Sequence, residues 1–314
     1  MFQPTDRLLL IDGSGFIHRA YHAVGPKTRK SDGLPVGAVD GFVGLLWGLL
    51  HSRLSEHPVS HAGVVFDYSG RTFRNDIFED YKANRSAPDA DLRPQFALCR
   101  AAARAFGLPC IEEPGFEADD LIATWAGIAD DCGAETVVVT SDKDMMQVVT
   151  ARTKLFMPGH KAEIPWKWCG PDEVVEKFGV PPDRVADVLA IAGDTVDNVP
   201  GVKGIGEKGA ADLIRRYDNL HAILCAPRSD KKAAMVMDAY DAADLSYRLV
   251  TLERDAPIYM TPDDLAYSAP DAEKVMAFLK AMELWSLARK IGSEAGVNPD
   301  DVEPDAEFMA RSAA

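Results

Sequence analysis

Val137-Val138-Val139-Thr140-Ser141-Asp142-Lys143-Asp144 is a run of β-branched residues that stops at two acids spaced two apart. An uninterrupted run of this kind reads as a strand buried on both faces, the pattern of a parallel sheet covered by helices. The same grammar occurs twice upstream. Leu8-Leu9-Leu10-Ile11 leads into Asp12, and Gly63-Val64-Val65-Phe66 leads into Asp67. A fourth β-rich run, near Ile111, passes through Pro114-Gly115 into Glu117, Asp119 and Asp120 at the start of an apolar periodic stretch.

Strands are predicted at 7–11, 62–66, 109–112 and 135–140, with helices at 14–23, 39–54, 92–106 and 117–132. This alternation predicts an α/β fold, a mainly parallel sheet sandwiched by helices. From Pro171 the strand signals stop, and helices are predicted at 171–178, 182–192, 207–217, 229–247 and 271–291. The expected organisation is an α/β domain over 1–170 that includes a basic region at 69–94, a helical subdomain over 171–292, and an irregular tail over 293–314. That tail holds Glu294, Asp300, Asp301, Glu303, Asp305 and Glu307 against Arg311. The Trp166 and Trp168 indoles are expected to pack in the core.

In an open α/β sheet, ligands bind beyond the carboxyl ends of the strands. Seven acids from four segments therefore converge on one edge. Singly, each has a plainer reading. Asp12 suits a turn or helix cap, Glu117, Asp119 and Asp120 suit the positive end of a helix, and Asp142 and Asp144 suit a cap. Together they carry an electrostatic consequence, because two like charges about 5 Å apart repel by roughly 3 kcal/mol at an effective dielectric of 20. Such a cluster protonates, unfolds or binds cations. Oxygen ligands without His or Cys select Mg²⁺ or Mn²⁺, and two such ions are the standard device for in-line phosphodiester displacement.

Gly204-Ile205-Gly206-Glu207-Lys208-Gly209 matches a dinucleotide fingerprint literally but follows a helix and a turn rather than a strand, so no nucleotide cofactor is expected. It reads instead as a glycine hairpin between helices, whose backbone N–H groups can approach phosphate at the start of a helix. Lys203, Lys208, Arg215 and Arg216 give residues 199–217 a local charge of +2 in a chain of −15. A plain turn between packed helices is the alternative. Asp194 and Asp197 just before it either close turns or complete the metal cluster. In the 68–94 segment, Arg71, Arg74, Lys82 and Arg85 fall within an arc of roughly 80° if the segment is helical. Tyr81 and Phe78 lie near its edge, where phosphates could run along a cationic face and a ring could stack on a base. A solvated surface helix is the alternative.

These stretches together resemble the 5′-nuclease family: the flap endonucleases and the 5′→3′ exonuclease region of bacterial DNA polymerase I. The likeness spans about residues 5–290 and implies a PIN-like α/β domain followed by a helix–three-turn–helix subdomain around the 201–208 hairpin. Its carriers are Leu10-Ile11-Asp12-Gly13, Val65-Phe66-Asp67, Phe73-Arg74 with Tyr81-Lys82-Ala83-Asn84-Arg85, Gly115-Phe116-Glu117-Ala118-Asp119-Asp120, Ser141-Asp142-Lys143-Asp144, Gly193-Asp194-Thr195-Val196-Asp197-Asn198 and the 201–208 hairpin. The resemblance implies that Asp67, Glu117, Asp119, Asp120 and Asp142 hold a first Mg²⁺ or Mn²⁺ and that Asp144, Asp194 and Asp197 hold a second, with Asp12 in support. It implies that Lys82 and Arg85 lean on the scissile phosphate from a helical arch and that Tyr81 stacks near the cut. Arg71, Arg74, Lys203, Gly204, Gly206, Lys208 and Arg215 would contact DNA, and the hairpin would also hold K⁺.

The implied activity is 5′→3′ exonuclease and flap endonuclease action on DNA carrying a 5′ flap, nick or 5′ end, in replication or repair. Two rivals stay open: a DNA-structure-binding protein that kept the fold without catalysis, and a related metal-dependent ribonuclease.

The net charge of −15, from 34 basic and 49 acidic residues, argues against nucleic acid when read alone. The carboxylates of the metal centre and of the tail account for much of that excess. The longest apolar run, 39–50, is broken by Asp40 and three glycines and falls short of the roughly 20 residues a membrane span needs. With no leader pattern, and five cysteines without a C-x-x-C pair, the expectation is a cytoplasmic, nucleoid-associated monomer with no membrane contact. No polymerase sequence follows, so the chain reads as a freestanding nuclease or an excised region.

Overall fold

The computed structural model describes residues 1–54, 57–68, 71–159 and 165–309. Six strands, β1 Arg7–Asp12, β2 His61–Val65, β3 Cys110–Ile111, β4 Glu135–Val139, β5 Thr153–Met157 and β6 Lys167–Cys169, form one sheet in the order β3-β2-β1-β4-β5-β6. Every pairing is parallel except that of β5 with β6. The four strands expected from sequence are present. Sequence reading missed β5, whose apolar run Leu155-Phe156-Met157 is only three residues long, and the three-residue edge strand β6.

Leu8 to Ile11 on β1 are fully buried because helices cover both faces of the sheet. Successive side chains alternate between two cores, as strand geometry requires. Leu8, Leu10, Val65 and Val138 face one side, and Leu9, Ile11, Val64 and Val139 face the other. Each fully buried aliphatic side chain contributes on the order of 2 kcal/mol.

The helices are α1 Gly13–Val24, α2 Gly37–Gly48, α3 Phe73–Ile77, α4 Arg93–Ala105, α5 Ala118–Asp131, α6 Pro171–Phe178, α7 Val185–Ala192, α8 Glu207–Tyr217, α9 Leu220–Ile223, α10 Lys231–Asp238, α11 Tyr240–Val250, α12 Ala272–Ala281, α13 Trp285–Ala295 and α14 Ala306–Met309. The helix expected over 229–247 breaks at Ala239, which ends α10 and starts α11. The one expected over 271–291 breaks at Glu283, which adopts a left-handed φ of 54° and lets α13 fold back on α12. Helices α5 to α8 share one core, whereas α12 and α13 return to the opposite face, against α2 and α4.

The tail departs from its expected irregularity through Met309. Residues Pro299–Asp301 form a 3-10 turn, the Asp305 N–H donates to Ala277 O at 3.0 Å, and Phe308 meets Phe278 edge-on at 5.3 Å. Residues 310–314, including Arg311, lie outside the described residues. Trp166 packs on Phe156 at 5.0 Å as expected, but Trp168, on the edge strand, leaves 36% of its surface exposed. Among the described residues no helix is long and apolar enough to cross a membrane.

Candidate metal centre

The carboxyl ends of β1, β2 and β4 open on a cavity of about 190 Å³. Asp12, Asp67, Glu117, Asp119, Asp142, Asp144, Asp194 and Asp197 line it together with Arg74, Lys82 and Arg85, so eight carboxylates face three permanent cations. The sheet delivers the first group. Asp12 ends β1 and also caps α1, accepting from the Gly15 N–H at 2.7 Å and from the Thr140 hydroxyl at 2.9 Å. The cap reading and the site reading are therefore both true of it. A Cβ on Gly15 would meet Asp12 Oδ2 at 2.3 Å, so any larger residue there would push the Asp12 carboxylate aside. Asp67 follows β2 and accepts from the Ala118 N–H at 2.9 Å. The Asp144 N–H donates to Asp142 Oδ1 at 2.8 Å, closing the turn after β4.

The helical part delivers the rest. Asp194 and Val199 exchange backbone hydrogen bonds of 3.0 and 2.7 Å, which holds Asp197 at the tip of a tight loop. Behind that loop, Gly193 and Gly201 have φ of 72° and 59°, and a Cβ on Gly201 would sit 2.5 Å from Gly193 N. Only glycine permits this close approach.

Crowding shows in the acids. Burial, with Asp67 and Asp142 nearby, lifts Asp12 to about 6. Burial and the Asp142 charge lift Asp144 to about 7, and its Oδ1 is buried without a hydrogen-bond partner. Asp119 is pushed well up by burial and by Asp142, Asp12 and Asp67. An orphaned buried carboxylate oxygen among all-oxygen donors fits a hard divalent cation. The cage is not closed: among the described residues no group of three or more His, Cys, Asp or Glu side chains is arranged to hold one ion. Protein partners take up part of the set. Glu117 accepts from Lys82 Nζ at 2.7 Å and from the Tyr81 hydroxyl at 3.2 Å, and Asp197 accepts from Arg85 Nε at 2.7 Å.

Three expectations are corrected. Asp120 does not line the cavity. It sits three residues after Glu117, on the inward side of α5, fully buried, and both its oxygens take a bidentate Arg74 guanidinium at 2.6 and 2.7 Å. Arg74 is consequently 1% exposed and unable to run along DNA. Burial opposes its charge, but the hydrogen bonds and charge of Asp120 outweigh that and raise its pKa.

The 68–94 segment is not one cationic helix either. After α3 the chain runs through turns, with Lys82 at a left-handed φ of 58°. Arg71 stays exposed, with Nη2 donating to Asn75 O at 2.9 Å. Lys82 and Arg85 turn onto the acids. The Tyr81 ring is 6% exposed, packed with Val199 and Leu249 rather than presented for stacking. Residues 69 and 70 lie outside the described residues. Finally, Arg215 is not brought to the hairpin. It lies roughly 12 Å along α8 from Glu207 and pairs with Asp212.

Lys203, Gly204, Gly206 and Lys208 are exposed on the hairpin. Gly206 starts α8 without a side-chain cap, leaving first-turn N–H groups uncapped by a side chain. Lys143, between Asp142 and Asp144, pairs with Glu207 and so ties α8 to the cavity. Sequence reading missed His18 and Thr140. His18 lies four residues after Ser14, on the same side of α1, and both line the cavity.

Residues 7–179 match the 5′-3′ exonuclease N-terminal resolvase-like domain, and residues 180–273 match the 5′-3′ exonuclease C-terminal SAM fold. The 5′-3′ exonuclease of Aquifex aeolicus is 32% identical over 292 residues, covering 90% of this chain and 94% of that protein. DNA polymerase I of Rhizobium leguminosarum is 45% identical over 305 residues, covering 95% of this chain and 30% of that protein. The chain thus spans about a third of the length of the DNA polymerase I relatives it matches. A bacteriophage T5 flap endonuclease, solved with DNA and metal ions, shares the fold with a TM-score of 0.62 at 19% identity, over 92% of this chain and 99% of that one. With both family domains matched in order, and a full-length exonuclease relative aligned along nearly its whole length, the chain belongs to the 5′-3′ exonuclease family.

Proposed function

We propose that this chain is a structure-specific 5′ nuclease that hydrolyses DNA phosphodiesters at a 5′ flap, nick or free 5′ end. The observation that carries the reading is the excess of carboxylates over cations in one cavity at the carboxyl edge of the sheet. Asp67, Glu117, Asp119 and Asp142 would hold one Mg²⁺ or Mn²⁺, and Asp144, Asp194 and Asp197 a second beside Asp142, with Asp12 in support. Bound there, the ions supply an acidified water and charge for the departing oxygen.

The remaining work belongs to the chain's own side chains. Lys82 and Arg85 stand over Glu117 and Asp197 on flexible stems, and they turn to the non-bridging oxygens of the scissile phosphate as negative charge develops. The first-turn N–H groups of α8, with Lys203 and Lys208, grip the phosphates of the downstream duplex, and the 201–208 hairpin would hold K⁺. Arg71 adds a backbone contact. The protein acts as a monomer in the nucleoid-containing cytoplasm during replication or repair.

A double-flap DNA labelled at its 5′ end tests this. In Mg²⁺ the wild-type chain should release a short labelled product cut near the flap junction, and in Ca²⁺ it should bind the DNA without cutting. Binding without cleavage in Mg²⁺ would favour the non-catalytic rival, and preferential cutting of an RNA flap would favour a ribonuclease.

A further inference from the structure

Two loops meet over the cavity, and what joins them is mostly independent of charge. Beyond α3, the Tyr81, Ala83 and Arg85 N–H groups donate to Phe78 O, Asp80 O and Lys82 O, a succession of turns with no helix to stiffen it. Opposite stands the loop between Asp194 and Val199. Lys82 and Asn198 both sit at φ of 58°, a conformation uncommon for residues with a Cβ that persists when the surroundings fix it. Besides the Arg85–Asp197 ion pair, three hydrogen bonds cross between the loops and fix it here. The Lys82 N–H donates to Asp197 O at 3.0 Å, Asn84 Nδ2 donates to Thr195 O at 2.7 Å, and Asn198 Nδ2 donates to Asp80 O at 2.8 Å. None uses the Lys82 ammonium or the Arg85 guanidinium.

We propose that Asn84 and Asn198 are positioning residues that pin the 80–85 segment to the metal-binding loop, so that Lys82 and Arg85 keep a fixed origin as their cationic ends move from carboxylate to phosphate. The ion pairs of Lys82 with Glu117 and of Arg85 with Asp197 cannot do this, because they break when the cations engage phosphate. The two amide tethers end on carbonyl oxygens and survive that exchange. Neither carboxamide is needed to touch DNA or an ion. The inference rests on the nuclease reading above and specifies how its basic pair is held.

The test uses the full chain, single-turnover cleavage of a 5′-flap duplex in Mg²⁺, and equilibrium binding of the same DNA in Ca²⁺. Asn84→Ala removes one tether on an exposed side chain. Asn198→Gly removes the other while keeping a residue that tolerates positive φ. Each should slow cleavage about tenfold, since small displacements of catalytic groups cost rate steeply, while DNA affinity stays within about twofold. In a Lys82→Ala/Arg85→Ala background both substitutions should become nearly silent, because a positioning residue acts only through what it positions. Unchanged cleavage by Asn84→Ala and Asn198→Gly would overturn the proposal. So would a full tenfold loss in the background lacking both cations, which is the signature of a general structural role. Failure of the wild-type chain to cut would overturn the nuclease reading instead, so the two failures are distinguishable.

Discussion

Asp142→Ala should lower flap cleavage in Mg²⁺ by more than the roughly 100-fold that bounds the loss of a second-shell partner, and should do so without destabilising the metal-free protein. The second half makes the first diagnostic. Asp142 is exposed at the end of β4, and its charge pushes Asp12, Asp119 and Asp144 toward protonation. Removing it relieves repulsion among the remaining acids, so the melting temperature in EDTA should hold or rise. A folding defect predicts the opposite. Single-turnover cleavage alongside thermal melts in EDTA checks both halves, and undiminished cleavage would refute the assignment of this acid.

The second large effect is on stability. Arg74→Ala should cost about 3–5 kcal/mol, the usual consequence of breaking a buried ion pair and leaving a carboxylate without its counter-charge. Arg74 also donates to Leu249 O at 2.7 Å and Thr251 O at 3.1 Å, while Asp120 accepts from the Glu253 N–H at 2.9 Å. The pair therefore fastens α3, α5 and the chain leaving α11 to one another. Glu117 is fixed through the same carboxylate, since its own N–H donates to Asp120 Oδ2 at 3.1 Å. Chemical denaturation of Arg74→Ala should show the loss, and the double replacement Arg74→Met with Asp120→Leu should recover only part of it, because no unpaired charge remains but the Glu117 and Glu253 N–H groups lose their acceptor. A single-variant cost within about 0.5 kcal/mol of zero, the range of ordinary surface substitutions, would show that the pair does not hold these elements together.

The parts of this centre that sequence reveals are those built from local grammar. A buried apolar run ending in aspartate carries both a strand and the position of its acid, so Asp12, Asp67 and Asp142 follow from the same few residues that make β1, β2 and β4. Partnership is what the pattern hides. Arg74 looks like one member of a cationic face when 68–94 is wound as a helix, and only the meeting with Asp120, 46 residues away, shows it to be a buried strut. Asp120 looks like a ligand beside Glu117 and Asp119 until the first turn of α5 rotates it inward. The return of α12 and α13 to the opposite face and the docking of Phe308 on Phe278 are also long-range events without a local signal. β5 and β6 escaped notice because an apolar run of three residues in β5 and a three-residue edge strand in β6 carry little apolar continuity.

Anomalous diffraction from crystals of the chain equilibrated with Mn²⁺ locates the ions. Two peaks are expected inside the cavity bounded by Asp67, Asp119, Asp142, Asp144, Asp194 and Asp197, with Asp142 between them, and with Lys82 and Arg85 displaced from Glu117 and Asp197. An empty cavity at saturating Mn²⁺, or ions bound only on unrelated surfaces, would contradict a two-ion centre.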